Sequence, residues 1–228
     1  MTKKYELVLD DTINFRGCKL FRIRALISFG SVEVGDLGGY IQKEENLSHD
    51  DNAWIYDNAW VYDNAKVYDN AKVYDNAKVY GNAKVYGNAK VYDNAEVYGN
   101  AKVYGNAKVY GNAWVYGNAK VYGNAWVYDN AKVYDNAWVY DNAWVCGNAE
   151  VYGNAKVSEL GDIIVFKNHW SSGRHFTYTK SNKMWKAGCF YGTGQKLIEK
   201  AYRDSEKSGN HYKAYVDFVE SLEKLDNQ

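Results

Sequence analysis

The chain reads as a mainly β protein, a parallel β-helix of about six triangular coils with a β cap at its N-terminus and a β-β-β-α-α domain at its C-terminus. Three observations predict this. Valine or isoleucine recurs every sixth residue from Ile55 to Val157, alanine recurs every sixth from Ala53 to Ala155, and Asp-Asn or Gly-Asn recurs between them. An unbroken period of this kind marks modules that bury their apolar face only by stacking on copies of themselves.

The elements follow in order. In segment 1–50, Phe21, Ile23, Ala25 and Ile27 alternate with Arg22 and Arg24, the pattern of a half-buried strand. This segment is expected to cover the open first coil, whose unpaired backbone groups would otherwise template aggregation. His49 reads as a capping residue at the first turn. In segment 51–157, side chains of an extended Ala-X-Val-Tyr alternate, so Ala and Val share one face while X and Tyr share the other. The Asp-Asn or Gly-Asn pair then supplies a corner, because Gly, Asn and Asp tolerate positive φ best. Three such units close a triangle, each strand pairing with the one 18 residues later. Stacked at about 4.8 Å, six coils would stand about 29 Å tall. Segment 158–228 changes period. Strands are expected at 162–167, 174–180 and 184–190, then a helix over 194–206 capped by Thr193. Gly209-Asn210 should break it before a second helix with Tyr212, Tyr215, Val219 and Leu222 on one stripe.

Composition narrows the function classes. Lys plus Arg equals Asp plus Glu at 28 each, so the chain lacks the basic footprint of a nucleic-acid binder, and acidic mimicry of DNA is equally unsupported. The 23 tyrosines are apolar in body and polar at the tip, so much aromatic surface must face outward. Met1 to Leu9 lacks a signal-peptide core and no apolar run is long enough to span a bilayer, so a cytoplasmic protein with no membrane partner is expected. Cys18, Cys146 and Cys189 are widely spaced and fit reduced thiols. No metal or cofactor is expected.

Units such as Val67-Tyr68-Asp69-Asn70-Ala71-Lys72 resemble the hexapeptide-repeat superfamily. That resemblance implies a left-handed coil. Enzymes of that class typically use a histidine in the β-helix, a loop interrupting a coil, and a subunit interface that holds an acyl-coenzyme carrier. Between Asp51 and Val157 there is neither histidine nor insertion. The flanks Phe21-Arg22-Ile23-Arg24-Ala25-Leu26, Gly35-Asp36-Leu37-Gly38-Gly39-Tyr40-Ile41 and Glu45-Asn46-Leu47-Ser48 are similar to the entry segment of bacterial and phage proteins labelled transferases, a label inherited from the repeat. The tail, with Gly188-Cys189-Phe190-Tyr191-Gly192-Thr193 and two helices, is similar to a domain that ends phage-encoded members. The resemblance therefore implies a phage-encoded, host-directed role such as countering a defence.

Sorting position X by prism face exposes the candidate sites. One column is almost pure lysine: Lys66, Lys84, Lys102, Lys120, Trp138, Lys156. Lys84, Lys102 and Lys120 form either a docking stripe for an acidic partner or a solvated face, with corner aspartates such as Asp69 and Asp75 expected to offset their repulsion. Repeat tryptophans avoid the middle coils. Trp114, Trp126, Trp138 and Trp144 suit self-association or partner docking, against the alternative of packing on the caps. In the tail, Cys189 and His175 could form a nucleophile pair, against the alternative of a structural thiol buried beside Phe190. Gly192-Thr193-Gly194 is a weak anion signal. The expected function is a non-enzymatic scaffold that self-associates as a dimer or trimer and presents its C-terminal domain to a protein partner. The alternative is a hexapeptide-type acyltransferase or other small-molecule enzyme.

Overall fold

A computed structural model describes residues 3–226. Its first strands are β1 (Tyr5–Phe15), β2 (Cys18–Ala25) and β3 (Leu37–Ile41), followed by the two-residue X-Val strands β4 to β21, from Trp54–Ile55 to Lys156–Val157. Every repeat Ala and Val is buried, which makes the interior small, aliphatic and dry. Valine pairs with valine in parallel register, as in Val85↔Val103↔Val121. Three sheets result: β4-β7-β10-β13-β16-β19, then β5-β8-β11-β14-β17-β20, then β6-β9-β12-β15-β18-β21. We call these the first, second and third faces.

Each strand holds two residues rather than the four expected. The corner takes the rest, since Ala95 N–H bonds back to Tyr92 C=O at 3.3 Å and folds Tyr-Asp-Asn-Ala into a turn. The first corner residue is left-handed, at φ 59° for Asp93 and 70° for Gly105, which explains why only these two residue types alternate there.

All inter-coil backbone–backbone bonds run one way. Lys84 N–H reaches Ala101 C=O at 2.9 Å, Tyr86 reaches Val103 at 3.0 Å and Asn88 reaches Gly105 at 2.8 Å, so amides point toward the C-terminal end and carbonyls toward the N-terminal end. The two ends therefore need opposite chemistry. At the carbonyl end, β1 and β2 form an antiparallel hairpin, and β3 pairs antiparallel with β2 and parallel with β5. With Leu47 bridging Val67, the cap brings the stack to about seven turns. Donors from the cap close the remaining carbonyls. Lys4 Nζ meets those of Asp50, Asp51 and Ala53 at 3.3, 3.4 and 2.9 Å. Asn46 Nδ2 meets Asp63 and Ala65 at 3.1 and 2.9 Å, and Arg22 Nη1 meets Asp57 at 3.0 Å. His49 stacks on Tyr5 at 4.3 Å and accepts from Lys4 N–H. At the amide end the partners are acceptors: Thr177 Oγ1 for Glu150 N–H at 3.0 Å, Ser181 Oγ for Lys156 at 2.8 Å, and Asp162 Oδ2 for Ser158 at 2.7 Å.

The C-terminal domain is an antiparallel sheet of β22 (Ile163–Lys167), β23 (His175–Thr179), β24 (Met184–Ala187) and β25 (Phe190–Thr193), with helices α1 (Gly194–Asp204) and α2 (Glu206–Asp226). The expected third strand is thus two. Gly188 at φ 58° turns the chain and pairs Ala187 with Phe190. The helix break also lies elsewhere, at Ser205; Gly209 sits inside α2 because the Tyr202 ring occupies the space a Cβ would need. Thr193 caps α1 as expected, accepting from Lys196 N–H. Phe176, Tyr178, Trp185, Leu197, Val216 and Val219 form this domain's core. Among the described residues no helix is long and apolar enough to cross a membrane.

Candidate interaction faces and a C-terminal cavity

Outward side chains stack in columns one coil apart. On the third face Tyr68, Tyr86, Tyr104 and Tyr122 lie ring on ring at 4.9, 4.8 and 4.9 Å. Asn88, Asn106 and Asn124 chain their amides beside them at 3.1 Å. Lysines on the second face are paired: Lys78 with Glu96 at 3.8 Å and Lys132 with Glu150 at 3.9 Å. Those of the third face have no ion-pair partner among the described residues. No corner aspartate forms an ion pair with them among the described residues; Asp69 Oδ2 accepts from Gly87 N–H at 2.9 Å and Asp75 Oδ2 from Asp93 N–H at 3.2 Å. Moreover, the corners flanking Lys84, Lys102 and Lys120 are all glycine: Gly81, Gly87, Gly99, Gly105, Gly117 and Gly123. These coils themselves contribute ammonium groups and no acid to the face, while Asp63 and Asp69 of the coil below reach the Gly81 and Gly87 amides. The signal was in the sequence, but Asp and Gly are interchangeable as turn formers, and only sorting the corners by face separates them.

The tryptophans divide by location. Trp54 is buried, edge-on to Phe29 at 5.3 Å and to Tyr5 at 6.2 Å, and Trp60 meets Phe15 at 5.0 Å, so the first-coil tryptophans pack the cap. The later ones face solvent. Trp126 stacks on Trp144 at 5.4 Å, and Trp144 and Leu160 are 44% and 67% exposed. Together they line a groove with Asn124 and Asn142. Trp114 is 40% exposed on the second face, and Trp138 is held half-buried between Lys120 and Lys156, at 4.3 and 5.2 Å.

Cys189 and His175 do come together. Both line a cavity of about 230 Å³ bounded by the β22–β23 turn, the β24–β25 turn and α1. Cys189 is exposed at its turn rather than buried beside Phe190, because the hairpin at Gly188 puts it at the tip. No hydrogen bond joins thiol and imidazole among the described residues. Arg174, Lys200, Asn168 and Tyr212, which no sequence period groups, complete the cavity wall. No cluster of three metal-ligating side chains occurs among the described residues.

A family model described as the YdcK beta solenoid repeat matches residues 101–117 and 131–147, each about one coil. The chain is a β-solenoid repeat protein. No curated protein matches the sequence. The family match lies wholly within the solenoid and covers neither cap.

Proposed function

We propose that this solenoid is a non-enzymatic scaffold: a stiff rod that docks an acidic protein surface on its third face, self-associates through the Trp126–Trp144 groove, and holds its C-terminal domain at a fixed place for a partner. The observation that carries this reading is the acid-free column Lys84, Lys102, Lys120. Like charges stacked at about 4.8 Å repel by roughly 1 kcal/mol per pair even in water, and the chain gives Lys78 and Lys132 on the second face acidic partners whereas Lys84, Lys102 and Lys120 have no ion-pair partner among the described residues. An acidic partner would relieve that repulsion and steer its own approach. The similarity of the flanks to phage-encoded proteins directs the search to host proteins. The acyl-transfer reading that the hexads also bring would need a histidine in the prism wall, and none lies between Asp51 and Val157.

The test is affinity capture from the native host on full-length protein and on the K84E/K102E/K120E variant, with light scattering for mass. We expect an acidic protein released by moderate salt and missing from the variant, and a dimer or trimer that W144S converts to monomer. Identical captured sets from both proteins would remove the docking face, and a wild-type monomer would remove the self-association.

A further inference from the structure

The cavity of the C-terminal domain has the chemistry of a small-anion site. Its wall carries Arg174, Lys200 and His175 against a single acid, Asp204. Neither Arg174 nor Lys200 has an ion-pair partner among the described residues, so the wall carries more cationic than anionic charge. Deeper in, Asn168 is only 6% exposed. Its Oδ1 is occupied by Ser171, whose N–H and Oγ–H donate at 2.9 and 3.1 Å. Its Nδ2 makes one long contact, 3.5 Å to the Tyr212 hydroxyl. One amide hydrogen and the Tyr212 O–H are thus left to donate, and a buried donor without a full partner is costly unless something arrives to accept. The floor between them, Phe176 and Leu197, is buried and apolar.

We infer that this cavity binds a small molecule with one carboxylate or phosphate on a compact apolar body, its charge at Arg174 and Lys200 and its body over Phe176 and Leu197. Arg offers a planar fork suited to either oxyanion, Lys a point charge, and the Asn168 and Tyr212 donors fix the orientation. The volume lies below the roughly 300–1,000 Å³ of drug-sized sites, which sets the ligand at fragment size. Asp204 at the rim disfavours larger polyanionic ligands. This site is independent of the docking face on the solenoid.

Cys189 lines the same cavity and reports on it. Iodoacetate and iodoacetamide alkylate a thiolate by the same displacement of iodide and differ in charge, so their rate ratio at Cys189 reads the local affinity for a carboxylate. Measured by peptide mass on the full chain, that ratio should be several-fold higher than for the same cysteine in the urea-unfolded chain. R174Q and K200Q should each lower it toward the unfolded value, and R174K should keep most of it. Phenylacetate and phenyl phosphate, added separately, should slow iodoacetamide at Cys189, and their relative protection tells carboxylate from phosphate; benzyl alcohol should not protect. A ratio equal to that of the unfolded chain, or equal protection by benzyl alcohol, would overturn the assignment. Arg174, Lys200 and Cys189 all lie at the surface, so the charge variants should fold, and thermal melting of each checks it.

Discussion

At the scale of the residue, the solenoid depends on two side chains of fixed size. Val103 and Ala101 are both completely buried, and their neighbours above and below are identical residues, so nothing nearby can relax to fill or yield space. Val103→Ala should destabilise by about 2–3 kcal/mol through the void it leaves, and Ala101→Val by about 1–3 kcal/mol through overpacking. Urea unfolding of both variants checks this, and a cost near zero for either would mean that the interior is not packed as described. This interior was legible in the sequence because inward residues repeat at a fixed spacing. The use of the corner carboxylates was not. Asp69 stands beside lysines in the chain, yet its acceptor binds the Gly87 amide 18 residues on, a pairing set by the stacking of coils rather than by local sequence.

At the scale of the element, the tyrosine columns couple the coils from outside. Rings stack within 5.3 Å along most of their length; the first-face column is interrupted where Tyr74 meets Tyr92 edge-on at 6.3 Å. Burial, with added repulsion from neighbouring acids or phenols, holds the phenols of Tyr62, Tyr74 and Tyr92 up to about 12. The sign follows from linkage: the fold favours the neutral phenol, whereas the unfolded chain ionises near 10.0, so this contribution is intact below pH 10 and is lost as pH rises toward 12. Lys4, lowered to about 8 by burial, acts oppositely, since the fold penalises its charge and that penalty fades between pH 8 and 10.5. The melting temperature should therefore hold or rise slightly to about pH 10 and then fall steeply, with phenolate absorbance appearing together with unfolding. Ionisation well before unfolding would contradict the stacked columns. Which strands pair was legible from the spacing of 18 alone. The extra strand of the C-terminal sheet was not, because its turn is Gly188-Cys189, and cysteine carries no turn signal of its own.

At the scale of the whole molecule, length comes in discrete steps. Deleting 84–101 joins Ala83 to Lys102 and restores the register one coil shorter. This variant should fold, with fluorescent labels on Cys18 and Cys189 closer by about 4.8 Å. Deleting 84–92 instead joins Ala83 to Asp93, breaks the inward alternation and should leave the chain unfolded by circular dichroism. The overall plan of cap, prism and tail was readable because each change of composition coincides with a change of period. The cavity was not, since its donors come from a turn, a strand end and two helices that meet only when the tail folds. The one-way hydrogen bonding carries a further consequence for synthesis. With the N-terminal cap made first, each finished coil shows its amides to the residues still emerging from the ribosome, so the protein can assemble by accretion, layer upon layer, and need never wait for its far end.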